Sequence, residues 1–273
     1  MVYVVKATGE KEAFDEIKLR NSIKRAGVAD NLQDEVVSHI KKNLYNNITT
    51  KKIYEHILEF LKKTNDPFIA SKYGLKQAIM SLGPTGYPFE DLVGGILKTK
   101  GYETELRQIL IGKCITHEID IVAQKSGTDK KIMIEAKFHN MPGSKTDVHV
   151  ALYTKSRFDD IKEKNGLIQA WIVTNTKATT DAISYAACEN IKIISWNYPE
   201  GESLRELIEE SRLVPISALT TLTLAQKQHF LSKHIVLCKD INDNPDLLYY
   251  LNLPNIKKQN ILSEIKYLSN INT

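Results

Sequence analysis

Three residues in two neighbouring apolar segments have side chains that could carry out chemistry together. Asp120 lies in the segment HEIDIVAQ, whereas Glu135 and Lys137 lie in KIMIEAKFH, with 14 residues between Asp120 and Glu135. Carboxylate oxygens are the ligands that hard divalent ions such as Mg²⁺ prefer, and such ions often share a substrate phosphate. A lysine beside them could orient an attacking water or stabilise charge that develops on that phosphate. The set is therefore typical of phosphodiester hydrolysis.

A β-hairpin would bring these residues to one face of a sheet. If Gly127 and Thr128 form a two-residue turn, cross-strand partners have residue numbers that sum to 255, and Asp120 faces Glu135. Alternation along the strand places Lys137 on the same face as Glu135. Like charges directly opposite each other destabilise a sheet, and a bound cation would remove that cost. The alternative is an ordinary solvent-facing hairpin with a weak surface salt bridge.

The segments around this hairpin predict an α/β domain. Apolar runs suited to buried strands alternate with amphipathic helices, which is typical of a sheet flanked by helices. In chain order we expect a helix over FEDLVGGILKTKG, strands at about 102–110, 115–124 and 131–139, a helix near 146–164, a strand over GLIQAWIVTNT, a helix over KATTDAISYAACEN and a strand over IKIISW.

The two ends of the chain are mainly helical. Residues 2–6 predict a short strand, and the segment LGPTGYP at 82–88 has the Gly and Pro content of a linker or domain boundary. Residues 203–273 carry helical patterns only. Between the first strand and the linker, apolar stripes predict helices around 17–26, 36–44, 53–61 and 67–81.

Composition fits a soluble globular protein and excludes a membrane-spanning one. The chain has 273 residues and a formal charge of +4, and residues 1–83 hold 14 Lys or Arg against 10 Asp or Glu. No apolar run approaches the roughly 20 residues that a bilayer requires. The N-terminus becomes charged too soon for a signal peptide. The three cysteines are isolated, which fits a reducing cytoplasm.

The D-(14 residues)-E-A-K pattern, in this order of elements, resembles the PD-(D/E)xK nuclease superfamily. From about Tyr87 to Trp196 it is most similar to the Mrr-like restriction endonucleases, which share their core with archaeal Holliday-junction resolvases. Ile119 stands where the motif has proline. The resemblance implies a restriction-endonuclease-like fold with these functional residues: Asp120, Glu135 and the carbonyl of Ala136 as metal ligands, Lys137 on the water, and Glu90 as the supporting helix acid.

The cofactor that this resemblance implies is Mg²⁺ or Mn²⁺. Three further polar residues, His117, Glu118 and His139, flank the site. Surface or structural roles are expected for them rather than metal ligation.

Residues 2–81 resemble an ATP-cone, a nucleotide-binding regulatory domain. The segments that carry the resemblance are VVKATGEKEAFDEIKLRNSI, ITTKKIYEHILEFL and ASKYGLKQAI. Ala7 stands where the family usually has an arginine, so a fork-shaped phosphate donor is missing. The resemblance implies that ATP or dATP would contact Lys6, Glu12, Lys18 and Thr50. The alternative is a helical module retained for dimerisation or packing.

The segment LNLPNIKKQNIL near the C-terminus resembles a helix-hairpin-helix. Asn252 and Asn255 take the glycine positions of that motif, and asparagine tolerates the left-handed conformation better than most residues. Lys257 and Lys258 could then meet DNA phosphates. A helical bundle for dimerisation or partner binding is the alternative, since residues 201–273 carry no net charge.

These patterns predict three domains and one main function. Residues 1–83 would form the ATP-cone, 84–200 the endonuclease and 201–273 the helical module. We expect a cytoplasmic, Mg²⁺-dependent endonuclease that cuts DNA in restriction or defence, is controlled by ATP or dATP and forms a homodimer. One alternative is a nucleotide-sensing regulator that binds DNA or a protein without cutting, and another is a nuclease whose substrate is RNA or branched DNA.

Overall fold

The N-terminal part of the computed structural model is a small sheet covered by helices. The structure describes residues 2–64, 66 and 68–269. The strand order is β2-β1-β3, with β1 antiparallel to β2 and parallel to β3. Side chains cap the first and third helices, since Asp15 accepts from the backbone of Ile17 and Thr49 from that of Lys52. The elements are β1 (Tyr3–Val5), β2 (Lys11–Ala13), α1 (Glu16–Arg25), α2 (Asp30–Lys42), β3 (Ile48–Thr49), α3 (Thr50–Leu61), α4 (Ile69–Tyr73) and α5 (Leu75–Met80).

The helix expected over 67–81 is two short helices instead. Its first residue lies outside the described residues, and the described part breaks at Gly74 between α4 and α5. A Cβ atom at Gly74 would lie 3.2 Å from both the Ala70 carbonyl oxygen and the Tyr54 hydroxyl. A side chain would therefore crowd this break, which redirects the chain toward the rest of the protein.

The central part is a five-stranded mixed sheet between two layers of helices. Its strand order is β10-β8-β6-β5-β4; β4, β5 and β6 are antiparallel neighbours, whereas β6, β8 and β10 run parallel. The strand that carries Glu135 and Lys137 is thus the middle strand. The elements are α6 (Tyr87–Thr99), β4 (Tyr102–Ile111), β5 (Thr116–Lys125), β6 (Lys131–Lys137), β7 (Lys145–Thr146), α7 (Val148–Asn165), β8 (Leu167–Thr174), β9 (Lys177–Ala178), α8 (Thr180–Cys188) and β10 (Lys192–Ile194).

Apolar side chains bury both faces of this sheet. On one face Ile121 and Ile134 pack in the cluster that contains Phe89 of α6. On the other face Met133 packs in the cluster that contains Ile161 of α7. The chain thereby supports the sheet from both sides, and Asp120 and Glu135 are half-buried among these apolar residues.

The C-terminal part is helical, and the described residues 201–269 contain no β-strand. The C-terminal part packs against both preceding parts. Ala78 of α5 belongs to the core of the C-terminal part, whereas the next residue, Ile79, belongs to the core of the central sheet. Leu82, just after α5, is fully buried. The elements are α9 (Leu204–Ser211), a 3₁₀ turn (Ile216–Ala218), α10 (Leu224–Ser232), α11 (Cys238–Asp243), a second 3₁₀ segment (Pro245–Leu251) and α12 (Asn255–Ser269).

A buried carboxylate joins the C-terminal helices to the N-terminal part. Glu264 of α12 is fully buried and accepts hydrogen bonds from the Ser71 hydroxyl at 2.5 Å and from the backbone N–H groups of Thr220 and Thr221 at 2.6 and 2.9 Å. The hydroxyls of the same two threonines also donate to it. The charge is therefore well satisfied, which is the condition under which a buried carboxylate is tolerated.

Candidate active site

The hairpin between β5 and β6 has the register expected from the sequence. Ile121 pairs with Ile134, and these numbers sum to 255. The turn is longer than the expected two residues, because Lys125 donates its N–H to the Lys130 carbonyl and accepts from Thr128. Gly127 has φ 76° inside this turn, a conformation that favours glycine. The expected turn was wrong in length, but the strand pairing is the same.

The two strands separate at the position where Asp120 was expected to face Glu135. The backbone ladder ends at Ile121 and Ile134, and the Asp120 Oδ2 atom accepts a hydrogen bond from the Ala136 N–H at 2.7 Å. A carboxylate thus takes the place of a backbone partner. Burial raises the pKa of Asp120, while the Ala136 hydrogen bond and the Arg157 charge oppose that rise.

Glu135 is held by an arginine that the sequence analysis did not single out. The Arg157 Nη1 atom donates to Glu135 Oε2 at 2.5 Å, and Nη2 donates to the Glu118 carbonyl oxygen. Burial and then the negative charge of Asp120 raise the pKa of Glu135, and Arg157 opposes this. Arg157 lies on the buried stripe of α7 with Ala151 and Ile161. The same stripe also carries the polar Thr154, so residue type alone gave no signal for Arg157 before the buried face of α7 was known.

Glu90 of α6 lies near Asp120, whose charge acts on it. It is 7% exposed, and Arg107 Nη1 donates to its Oε2 atom at 3.1 Å. Burial and the Asp120 charge raise the pKa of Glu90 to about 7, against the effect of Arg107. Arg107 itself has φ 54° and interrupts the β4–β5 pairing opposite Asp120. This left-handed residue was not expected from the sequence, and it directs a second cation toward the site.

Lys137 is the last residue of β6, directly before the loop that follows this strand. It pairs in register with Thr174 of β8 and is partly exposed. Within residues 68–269 it has no ion-pair partner within 4.0 Å, although its charge acts on both Asp120 and Glu135. Its ammonium is therefore available to a ligand.

The flanking polar residues have structural partners. His117 Nε2 lies 2.9 Å from Asp160 Oδ2, and His139 Nε2 lies 3.1 Å from the Thr146 hydroxyl. The Glu118 carbonyl accepts from Arg157. These contacts fit the structural roles expected for the three residues.

The donor chemistry of the site fits a hard divalent ion that keeps several waters. Asp120 and Glu135 supply carboxylate oxygens beside Ala136, and burial together with the Asp120 charge raises the pKa of Glu135. Among the described residues, no group of three or more His, Cys, Asp and Glu side chains is placed to hold a metal ion. Glu90 therefore does not form a three-residue ligand set with Asp120 and Glu135. The donors that fit the ion are two carboxylates and a carbonyl.

The residues expected to contact nucleotide lie together in part. Glu12 Oε2 lies 3.0 Å from the Nζ atoms of both Lys6 and Lys18. Thr49 pairs with Val5, so Thr50 is brought next to the position of Lys6. The lysines are thus paired with a carboxylate in this structure and are largely open to solvent.

The turn after β1 touches the loop after the E-x-K strand. A Cβ atom at Gly143 would lie 3.3 Å from Thr8 Cγ2 and 3.8 Å from Ala7 Cβ. Gly143 has φ 89°, whereas Ala7 occupies the arginine position of the ATP-cone pattern. The N-terminal part therefore contacts the central part a few residues beyond Lys137.

Comparison with known families defines the class of protein. Residues 2–77 match the ATP cone domain, residues 83–208 match the restriction endonuclease catalytic family, and residues 215–269 match the family described as AF1548-like, C-terminal. The fold and these matches define a PD-(D/E)xK protein of the Mrr-like restriction-endonuclease type with an ATP-cone in front.

Two relatives match a large part of this chain. An uncharacterized protein of Archaeoglobus fulgidus is 37% identical over 172 residues, which are 63% of this chain and 96% of the relative. The crystal structure of AF1548, a protein of unknown function, has a TM-score of 0.57 and 34% identity, and the match covers 68% of this chain and 98% of that one. This chain belongs to the same family. In its described part, no helix is long and apolar enough to cross a membrane.

Proposed function

We propose that the protein is a metal-dependent endonuclease that hydrolyses DNA phosphodiester bonds. The observation that carries this proposal is the convergence of Asp120 and Glu135 at Ala136, with Lys137 at the end of the same strand. Such a site places carboxylates for a metal and an ammonium for a phosphate on the middle strand of a nuclease fold.

The proposed roles follow from the environment of each side chain. Asp120, Glu135 and the Ala136 carbonyl hold Mg²⁺ or Mn²⁺, which when bound makes water more acidic and neutralises phosphate charge. Lys137 orients the attacking water or the phosphate oxygen. Glu90, with a pKa of about 7, holds or releases a proton near neutral pH.

The proposed substrate is DNA, and the proposed role is restriction or defence in the cytoplasm by a homodimer. The match of the central part to the restriction endonuclease family supports the substrate and the role, and the homodimer is proposed by analogy with nucleases that cut both strands. The C-terminal part would contact DNA through Lys257 and Lys258. Asn252 ahead of α12 is left-handed at φ 47°, which supports the helix-hairpin-helix resemblance, whereas Asn255, at the other glycine position, is the first residue of α12.

The ATP-cone would regulate cleavage through its contact with the loop after β6. ATP or dATP bound by Lys6, Glu12, Lys18 and Thr50 would displace the Lys6–Glu12 ion pair at the base of the turn that touches Gly143. A ligand can shift activity only if it binds the two states with different affinities. In this proposal the two states differ at the contact between this turn and Gly143.

Cleavage of supercoiled plasmid with Mg²⁺ tests the proposal. Wild-type protein should cut, Lys137→Ala should lose at least about 100-fold in rate because it removes stabilisation of developing charge, and Lys131→Ala should cut like wild type. Lys131 is the matched control because it is an exposed lysine at the other end of β6. Equal cutting by Lys137→Ala and wild type would contradict the proposed site.

A second candidate function is a sensor that binds DNA or a protein without cutting it. The Arg157–Glu135 pair favours it, because an internal cation already neutralises one expected metal ligand. Absence of cutting by the folded wild type, with Mg²⁺ or Mn²⁺ and with or without ATP or dATP, on plain and modified DNA, would support this candidate.

A further inference from the structure

A cavity of about 570 Å³ lies where the three parts of the chain meet. Tyr54 and Tyr73 line it from the ATP-cone, Trp196 from the central part, and Leu268 from the C-terminal helix α12. Its volume is in the range that holds ligands the size of a nucleotide or a drug. None of the four residues expected to bind nucleotide in the ATP-cone lines it.

Cations outnumber carboxylates in the lining of this cavity. Lys72, Lys76, Arg205 and Glu209 line it, and Arg205 pairs with Glu209 at 3.3 Å and with Glu206 at 3.6 Å. In the described part of the chain, Lys72 and Lys76 have no carboxylate within 4.0 Å, and each lies instead over an aromatic ring. Desolvation and the nearby charge of Lys177 lower the pKa of Lys76. Two ammonium groups are therefore left without an anion.

Aromatic side chains provide flat surfaces beside these cations. The rings of Tyr54 and Tyr73 stack with their centroids 5.4 Å apart. Trp196 is 6% exposed and lies 5.8 Å, at its ring centroid, from Lys76 Nζ. Phosphate groups are bound by lysine and arginine, and aromatic faces bind planar rings.

We propose that this cavity binds a phosphorylated ligand of nucleotide size, with its phosphates on Lys72, Lys76 and Arg205 and its ring against the aromatic side chains. The site is separate from the Lys6, Glu12 and Lys18 cluster. It requires residues of both the ATP-cone and the central part, so a ligand there contacts two parts of the chain at once. The inference does not depend on DNA cleavage.

One wall of the cavity leads directly to the buried carboxylate network. Ser71 lines the cavity and donates its hydroxyl to Glu264. Glu264 also holds the loop at Thr220 and Thr221. A ligand beside Ser71 is thus one side chain away from the hydrogen bonds that join α12 to the ATP-cone.

Calorimetry on the full chain tests the site, with ATP, inorganic triphosphate and adenosine as separate probes in EDTA. We expect ATP to bind, triphosphate to bind more weakly and adenosine to bind weakest, because charge and ring contacts contribute together. Lys72→Gln/Lys76→Gln should weaken ATP binding by about 10-fold or more. Lys63→Gln, an exposed lysine at the end of α3, should bind like wild type.

Two further variants make the result decisive. If the double variant fails to fold, Lys76→Glu alone is used in its place. Lys76 is at an exposed position, and we expect this variant to abolish ATP binding as well. Lys6→Gln/Lys18→Gln removes two of the cations proposed for the ATP-cone site, so the ATP heat that this variant retains reports the cavity. Loss of binding in Lys6→Gln/Lys18→Gln with no loss in the Lys72 and Lys76 variants would overturn the inference, yet leave the ATP-cone regulation standing. A folded wild type that binds none of the three probes would overturn the inference as well.

Tryptophan fluorescence gives the location of the ligand. The chain has two tryptophans, and only Trp196 lines the cavity. Trp171 lies in β8 and packs edge-on against Tyr102. ATP should change the emission of wild type and of Trp171→Phe, but not of Trp196→Phe. A change that persists in Trp196→Phe would place the ligand elsewhere and contradict the proposed site.

Discussion

Arg157 Nη1 lies 2.5 Å from Glu135 Oε2, so the acidic residue of the E-x-K strand has a cation partner from the facing helix. Arg157 is 8% exposed and also donates to the Glu118 carbonyl. The guanidinium therefore ties α7 to both strands that carry the site, at the position where those strands separate.

Replacing Arg157 should destabilise the fold. Arg157→Gln leaves the Glu135 carboxylate and a carbonyl short of donors in a largely buried place, and the expected loss is about 3 kcal/mol of unfolding free energy. Urea unfolding in EDTA measures it. Lys155→Gln on the same helix breaks partly exposed ion pairs and should cost less than about 1 kcal/mol. Equal losses of unfolding free energy in the two variants would show that the buried ion pair stabilises the fold no more than the partly exposed pairs do.

Glu90 should make stability fall as pH rises from about 4.5 to about 7. Its folded pKa of about 7 lies above the ordinary 4.5, so the folded state retains a proton that the unfolded chain has lost. The share is at most about 3 kcal/mol. Glu90→Gln cannot ionise and should reduce the difference in unfolding free energy between pH 5 and pH 8 in EDTA. Glu103→Gln, at an exposed position of β4, should leave that difference as it is. An unchanged difference in Glu90→Gln would refute the assigned pKa.

Manganese should raise the melting temperature of the wild type through Asp120. Binding to the folded state alone stabilises it by mass action, and saturating Mn²⁺ should add about 5 °C. Asp120→Asn should lose that increase because one carboxylate ligand is gone. Asp129→Asn, in the loop between β5 and β6, should keep it. Differential scanning fluorimetry gives the comparison, and a full Mn²⁺ response in Asp120→Asn would exclude this residue as a ligand.

The contact between the ATP-cone turn and Gly143 can be isolated with two glycine variants. Gly143 and Gly201 have φ 89° and 82°, but a Cβ atom would meet Thr8 at 3.3 Å only in the first case. Each alanine variant should lose about 1 kcal/mol from the positive φ. Gly143→Ala should in addition reduce any effect of ATP or dATP on plasmid cleavage, whereas Gly201→Ala should not. Identical nucleotide responses in both variants would remove this contact from the regulatory path.

The sequence predicted the sheet and its register because strand alternation and a constant index sum are local rules. Ile121 and Ile134 follow those rules, and the pairing was correct although the turn was longer than expected. The local rules fail at Asp120, where the backbone ladder stops and a side chain replaces it. That change depends on what packs around the strands, which a single sequence does not display.

The arginines of the site were missed for a related reason. Arg107 takes a left-handed conformation inside a strand, which residue type does not signal. Arg157 is identified only once the buried face of α7 is known. The break at Gly74 was also missed, because the apolar pattern continues across it while Tyr54 and Ala70 leave no room for a side chain there.

The position of α5 limits how this chain can change by recombination. Ala78 and Ile79 are adjacent, yet they pack in two different cores. Because successive helical residues point about 100° apart, inserting one residue before them would turn both away from their cores. An ATP-cone taken from another protein would therefore need a connecting helix whose two apolar faces have the same angular positions as those of α5. The length of α5 is consequently constrained by two cores at once, whatever the sequence of the ATP-cone that precedes it.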